Sequence, residues 1–326
     1  MPVKNSQPFL EECLTSIRAQ TYADWQLIAV DDHSSDDSPA ILKATALLDE
    51  RIKVIQNEGN GIIDALSSGY AISNGDFITR MDADDIMPKD KLQHMLNHLP
   101  TAGDPALVTG KVEYLDDGTL ADGYKKYAAW LNHQVDDKKQ FKEIYKECVV
   151  PSCCWLMSRA NFDRLGAFAG LSYPEDYDLC FRCYDAGFKI SYADEVVHYW
   201  RDHPERTSRT SPVYLDNTFL PLKINWFLKI DYNPTKNLIL WGAGKKGKKI
   251  AQLLIAQKTP FLWVCNNPKK IGHNIYGQTL HEIPEELNSL SCSQLIIAVA
   301  DPEAQKAIST SLAEQPNTPD QVFWFS

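Results

Sequence analysis

Between residues 25 and 81, short apolar runs alternate with stretches of helical spacing, and this alternation limits the fold more than any other feature of the chain. WQLIAVDD (25–32), IKVIQN (52–57) and DFITRM (76–81) read as strands. Between them, SPAILKATALLDE reads as a helix opened by Ser38 as N-cap and Pro39 in its first turn. GIIDALSSGYAISNG reads as a second helix, closed by Asn74-Gly75. Strands joined by helices of this length run mainly parallel, which places the chain in the α/β class. An amphipathic helix over 8–20 precedes them, entered directly from MPVKN with no strand before it.

The pattern is less regular from 100 to 151, where ALVTGKVEYL is a strand, DDG a turn, and a polar, tyrosine-rich stretch follows. RANFDRLGAF then reads as helix and turn, PEDYDLCFRCYDAGF as a helix stopped by Gly187, and KISYADEVVHYWRDH as a strand. VYLDNTFLPLKINWFLKIDYNP is apolar and aromatic and reads as a connecting helix, whose stripe suits packing between two domains better than a membrane surface. NLILW, GAGKKG and KKIAQLLIAQ then begin a second strand, turn and helix series, with FLWVC, QLIIAVA and QVFWF as further strands. Three segments are expected: a first domain over 1–212, a connecting helix over 213–235, and a small Rossmann-like α/β domain over 236–326.

A length of 326 residues accommodates two domains. The net charge of −10 argues against nucleic acid as a partner, because phosphate backbones select basic surfaces. No apolar run approaches the ~20 residues of a membrane-spanning helix, and no signal-peptide pattern is present. Eight cysteines in so long a chain are too sparse for a secreted disulfide scaffold. Cys180 and Cys183 form a CxxC, and Cys153 and Cys154 are adjacent, but reduced cysteines sharing a helix face outweigh a zinc site. A reducing cytoplasm is the expected setting.

MDADD (81–85) gathers carboxylates where a strand ends. A calcium loop from Asp82 needs Asp or Asn at its fifth position, Gly at its sixth and Glu at its twelfth, where this chain has Ile86, Met87 and Gln93. That reading fails. Asp82 and Asp84, two apart on an extended backbone, point to one side, and oxygen ligands of this kind suit magnesium or manganese. An acidic turn capping the next helix explains the same residues, and spacing alone leaves the two readings level.

MPVKN, QTYADWQLIAVDDHSSDDS, NGDFITRMDADD, LGAF and PEDYDLCFR occur in this order. Together they resemble the inverting family-2 glycosyltransferases of the GT-A fold, over residues 1 to 210. The resemblance implies a nucleotide-sugar donor, lying across the carboxyl ends of the first strands, and a Mn²⁺ or Mg²⁺ cofactor. Pro2 and Val3 match the loop after the family's first strand, which lines the nucleoside. Asp32, with Asp31 beside it, matches the acid that reads the base. Asp82 and Asp84 match the DxD motif, one acid reaching the ribose and the other the metal, with Asp84 favoured for the metal and Asp85 belonging to the same motif. Asp176 matches the catalytic base, and Glu175 would orient the base or the acceptor; an acidic first turn of a helix is the competing explanation. YWRDHPERTS resembles the segment that closes these sites, so His203 would complete the metal shell and Arg201 or Arg206 would face phosphate, with His198 as another ligand candidate. The acceptor implied is a glycan or lipid-linked glycan precursor of a cell surface, reached in the cytoplasm by peripheral contact with the inner face of the plasma membrane.

One departure is that the family's apolar first strand, just before MPV, is absent, from which we expect an N-terminally truncated chain or a misassigned start. Competing classes are a nucleotidyltransferase, which would need a glycine- and lysine-rich loop near the N-terminus, and a binding module with degenerate sites. A dinucleotide-dependent sugar-modifying protein built on the C-terminal domain is a third. There, Gly242, Gly244 and Gly247 form G-x-G-x-x-G between strand and helix. Lys245, Lys246, Lys248 and Lys249 crowd the helix start, where a bound phosphate would relieve them. The acid expected to hold a ribose some 20 residues on is missing, since FLWVC ends in Asn266 and Asn267.

Overall fold

A computed structural model of the chain describes residues 1–101, 103–115, 118, 120–210, 219–282, 292–314, 319 and 321–326. The described chain forms two units, residues 1–141 with 148–210, and residues 142–147 with 211–326.

The first unit begins with β1 (Pro2–Val3), α1 (Gln7–Arg18), β2 (Leu27–Asp31), α2 (Ser38–Leu48), β3 (Ile52–Gln56) and α3 (Ile62–Ile72). Strands β1, β2 and β3 form a parallel sheet in that order. All five residues of β2 are buried, as a central parallel strand covered on both faces requires. Leu10, Leu14 and Leu42 from α1 and α2 pack with Ala29 and Ile52 on one face, and Ala65 of α3 packs with Ile28 and Val30 on the other. Gly69 of α3 permits close approach, since a Cβ there would stand 3.0 Å from Val30.

Two local expectations change. Pro2 and Val3 are not loop: they form a strand paired with Val30 and Asp31, extended by Val30 N–H donating to the Met1 carbonyl. The N-cap of α2 is Asp37, not Ser38, because the Ser38 hydroxyl accepts the Ser6 N–H instead.

Next come β4 (Phe77–Ile78), α4 (Lys91–Asn97), β5 (Ala106–Leu115), α5 (Asp122–Asp137), β6 (Trp155–Ser158), α6 (Arg159–Arg164), α7 (Glu175–Asp185), β7 (Lys189–Arg201) and the short α8 (Thr207–Thr210). These strands form a mixed sheet ordered β4-β6-β5-β7, with β5 parallel to β7 and antiparallel to β6. The tyrosine-rich stretch expected to be irregular is the 16-residue α5, which buries Ala128, Leu131 and Val135. All eight cysteines are free thiols, and Cys180 and Cys183 are buried on α7 as packed side chains.

The second unit contains α9 (Leu220–Ile230), β8 (Asn237–Trp241), α10 (Lys245–Ala256), β9 (Leu262–Val264), β10 (Asn274–Ile275), β11 (Gln278–His281), β12 (Ser293–Ile297), α11 (Pro302–Ala313) and β13 (Gln321–Trp324). Its sheet runs β10-β11-β9-β8-β12-β13, parallel except for the β10–β11 hairpin. Of the connecting helix expected over 213–235, residues 213–218 lie outside the described residues and the helix observed is α9. Its apolar stripe is buried within this unit, where Phe227 meets Tyr145, Phe323 and Phe325. Among the described residues, no helix is long and apolar enough to cross a membrane.

Candidate active site

The loops after β1, β2 and β3 are knitted together at the carboxyl ends of these strands, the side of an open α/β sheet where ligands bind. Lys4 Nζ donates to Asp32 Oδ2 at 3.1 Å, and Asn57 Nδ2 donates to Asp32 Oδ1 at 2.6 Å. The Gly61 N–H reaches both Asp32 oxygens, at 3.0 and 3.1 Å. Burial opposes the Asp32 charge, but the bonds from Asn57, Lys4 and Gly61 outweigh it and hold the carboxyl below its ordinary range. Asp32, expected to read the base, therefore has its oxygens engaged by the protein. Asp31, beside it and itself buried, accepts through its side chain a longer bond from the Ser34 N–H, at 3.3 Å, and no other among the described residues. Asn5 binds across to the same loop, its N–H donating to Ser34 Oγ and its Oδ1 accepting from Ser35 N.

Burial alternates through the acidic motif: Met81, Ala83 and Asp85 are buried, while Asp82 and Asp84 are half-buried. The extended backbone expected from the spacing does not continue through Asp84, because Ala83 and Asp84 lie in a turn in which the Asp85 N–H reaches the Asp82 carbonyl at 3.5 Å. Asp85 turns inward. Its Oδ2 lies 2.8 Å from His198 Nε2, and its Oδ1 accepts the Arg201 N–H at 2.8 Å. Ile86 and Tyr199 exchange both backbone hydrogen bonds at 3.0 Å. These contacts staple the acidic turn to the end of β7. Both Asp85 oxygens are thus engaged by β7, with His198 as its buried partner, so in this arrangement Asp85 anchors the turn.

The staple places the residues after β7 over the turn. His203 Nε2 lies 3.0 Å from Asp84 Oδ2, and its ring packs on Phe9 with centroids 4.5 Å apart. Burial and the neighbouring Asp85 and Asp82 carboxylates push the Asp84 carboxyl up to about 6, against the pull of His203. A carboxylate whose charge the protein leaves under-compensated, with an imidazole beside it, fits Mn²⁺ or Mg²⁺ in donor type and in charge. Asp85, Cys153 and His198 also bring ligand atoms within 4.8 Å of one another. There burial, with Asp82 nearby, keeps the Cys153 thiol protonated well above its ordinary range. These three side chains are buried, whereas Asp84 and His203 are half-buried. Arg201 is drawn away from its expected phosphate role: its Nε donates to the Asp84 carbonyl and its Nη2 to Glu12. Arg206 instead stays at the site, donating to Tyr114 Oη at 3.1 Å.

The residue that sequence reasoning missed is Arg80. It is 5% exposed and forks between the motif and α7, donating to Glu175 Oε1 at 2.8 Å and to Asp82 Oδ1 at 2.9 Å. Burial opposes the Asp82 charge, but Arg80 overrides it and holds the carboxyl far below its usual range. Ser152 Oγ donates to the other Asp82 oxygen at 3.2 Å. One signal could have found Arg80: it stands two positions before Asp82, on the same side of the extended chain. Glu175 is thus the partner of Arg80, which fixes the start of α7. Asp176 is left half-buried beside it, its Oδ1 accepting the Tyr177 N–H at 2.8 Å. Burial and the Glu175 carboxylate push the Asp176 carboxyl up to about 7. A carboxylate poised there can exchange protons near neutrality.

In the second unit Gly242, Gly244 and Gly247 sit between β8 and α10, with Lys245 as the first residue of α10. Gly242 has φ +129°, and a Cβ on Gly247 would stand 2.0 Å from the Gly242 carbonyl, so both glycines are required by backbone and packing.

Comparison with known proteins follows this geometry. A protein of Sinorhizobium fredii named y4gI is 28% identical over 215 residues, covering 63% of this chain and 22% of that protein. An uncharacterized glycosyltransferase of Haemophilus influenzae is 26% identical over 211 residues, covering 63% of this chain and 64% of its own length. The chain thus spans less than two thirds of these curated relatives. Among solved structures, the mannosyltransferase PcManGT of Pyrobaculum calidifontis, in complex with GDP-Man and Mn²⁺, superposes with a TM-score of 0.53. It is 19% identical, and the match covers 78% of this chain and 67% of that one. That likeness gives the GT-A fold. The model of the family described as Glycosyl transferase family 2 matches residues 1–166, half of the chain, and the chain belongs to that family.

Proposed function

We propose that the chain is a metal-dependent inverting glycosyltransferase, which moves a sugar from a nucleoside-diphosphate sugar to a hydroxyl of a cell-surface glycan precursor. One observation carries this reading. The Asp84–His203 pair, suited to a divalent cation, and the Asp176 carboxyl, raised to about 7, meet through the buried Arg80, which ties Asp82 to Glu175. A cation site and a poised base near one another are what displacement at an anomeric carbon requires.

In this reading the donor nucleoside lies over Val3, Asp31 and the Asn57–Gly61 turn. Asp31, with acceptor capacity left, takes the hydrogen-bond donor of a uracil-like base, and Asp32 holds the loop that shapes the pocket. Asp84 and His203 would hold Mn²⁺ or Mg²⁺, which supplies positive charge for the departing diphosphate. Asp176 takes the proton of the acceptor hydroxyl as its oxygen bonds to the anomeric carbon. The bond from that carbon to the diphosphate breaks, and the attack from the opposite face inverts the centre. Arg206 adds charge near the phosphates. The domain expected over residues 1–212 performs the transfer in the cytoplasm, where lipid-linked acceptors are reached at the inner face of the plasma membrane. The test is nucleotide release across a panel of UDP- and GDP-sugars with manganese and a lipid-phosphate acceptor. Release by wild type, and its loss in both Asp84→Asn and Asp176→Asn, is expected. Release undiminished in either variant would end this assignment.

A further inference from the structure

The second unit contains a cavity of about 830 Å³ at the carboxyl ends of β8, β9 and β12. β8 lies between β9 and β12 in the sheet, so the chain leaves it to one side and returns on the other. Crevices at such a reversal are the ligand-binding position of open α/β sheets. The volume also falls in the range of small-molecule sites, roughly 300–1,000 Å³.

Its walls divide into two kinds. One is apolar, from Trp241, Ile271, Val299 and Ala307. The other is formed by the turn into α10. This helix has 12 residues, no acid in its first turn, and Gly244 as an N-cap without a capping side chain, so its positive end faces the cavity, whose wall also carries one acid among the described residues, Glu282. Lys270, also on the cavity wall, donates Nζ to the Ala243 carbonyl at 2.8 Å, which holds an ammonium at the same turn.

Gly244 supplies the independent observation. Gly242 and Gly247 have no room for a side chain, but Gly244 does: its φ of −79° suits any residue, and a Cβ there would meet nothing within 4 Å. Neither backbone nor packing asks for glycine at 244, whereas an occupant of the cavity that approaches the turn closely would. Asn266 stands at the ribose position, its Oδ1 fixed by Trp241 Nε1 at 2.6 Å, and an amide held this way cannot accept two ribose hydroxyls as a carboxylate does, so recognition falls to the phosphates, where a terminal diphosphate brings more negative charge to the turn than the doubly esterified pyrophosphate of NAD.

We propose that this cavity binds a nucleotide by its phosphates, at the turn between β8 and α10, separately from the transfer site and in preference to NAD. The test uses the full chain in EDTA, titrated calorimetrically with ADP, UDP, NAD⁺ and inorganic pyrophosphate, with amide hydrogen exchange to locate binding. Expected is saturable binding of ADP or UDP, with protection at 242–247 and 266–271, and NAD⁺ weaker by about 10-fold. Gly244→Val should retain the wild-type unfolding midpoint and lose that protection, with affinity at this site down at least about 10-fold. Should Gly244→Val misfold, Lys270→Met provides the second reading, with a loss of about 10-fold from the missing charge-assisted contact. The proposal is overturned if none of the four probes protects 242–247 at about 1 mM. It is equally overturned if Gly244→Val or Lys270→Met, once folded, binds there as wild type does, or if NAD⁺ binds there more tightly than ADP and UDP.

Discussion

Replacing Arg80 with methionine removes a buried cation that joins the acidic turn to α7 while keeping most of the apolar stem. The Glu175 side chain is 6% exposed and takes an Arg80 hydrogen bond of 2.8 Å. Removing one partner of a buried ion pair costs about 3–5 kcal/mol, because the remaining charge stays desolvated. The Asp82 side chain is 28% exposed, so water and Ser152 can still solvate it, and its share is at most about 1 kcal/mol. The expected loss is therefore about 4 kcal/mol, carried almost wholly by Glu175. This makes a sharper statement: Arg80→Met with Glu175→Gln should recover at least about 2 kcal/mol of it, since the orphaned charge is gone. Amide hydrogen exchange at β5 and β7 in the full chain reads the opening free energy of the first unit by itself. A loss under about 1 kcal/mol for Arg80→Met, or no recovery in the double variant, would refute the view that Arg80 holds α7 in place.

Three further outcomes are expected. Asp84→Asn should lower metal-dependent nucleotide release by about 100-fold or more, and His203→Ala should raise the manganese concentration needed for half-maximal rate. Asp176 works as a base only when ionised, and its carboxyl lies at about 7, so kcat/KM should climb as pH rises towards 7 and level off above it. Glu175→Gln removes a carboxylate that pushes Asp176 upward, so the inflection should move to lower pH, while Asp176→Asn should abolish it along with about 100-fold or more of the rate. Gly247→Ala forces a Cβ to within 2.0 Å of the Gly242 carbonyl, so exchange protection of β8 and α10 should fall by about 3 kcal/mol.

The parts legible in the sequence are those fixed by near neighbours. β2, α2, β3 and α3 follow from local apolar periodicity, whereas the turn at Ala83–Asp84 breaks the extended backbone that the spacing of Asp82 and Asp84 implies. Periodicity did not reveal α5, whose buried positions are few beside its half-buried tyrosines and exposed lysines. It missed β6 too, whose four residues follow two buried cysteines and read as one more apolar patch. In the site, the acids and His203 were legible as a motif, but their division of labour was not. That Asp85 serves as anchor and Asp31, not Asp32, keeps acceptor capacity depends on Arg201, His198, Asn57 and Gly61, whose positions only the tertiary fold sets. An arginine in a strand signals nothing by itself, and the Glu175 that gives Arg80 its meaning comes 95 residues later.

That separation bears on how the protein is made. Arg80 and Glu175 are 95 positions apart, Asp85 and the Arg201 N–H 116, and Asp84 and His203 119. Contacts between such distant segments form late, since closing long loops costs chain entropy before any contact repays it. During synthesis the acidic turn leaves the ribosome well before α7 and β7 exist, and at ~5–20 residues per second the wait is at least several seconds. Through that interval Asp82, Asp84 and Asp85 repel one another without the partners that later hold them, so the early chain is kept open at this point. Docking of β7 is the event that turns a repulsive loop into a binding site, and competence to bind should therefore arrive as one of the last steps of folding.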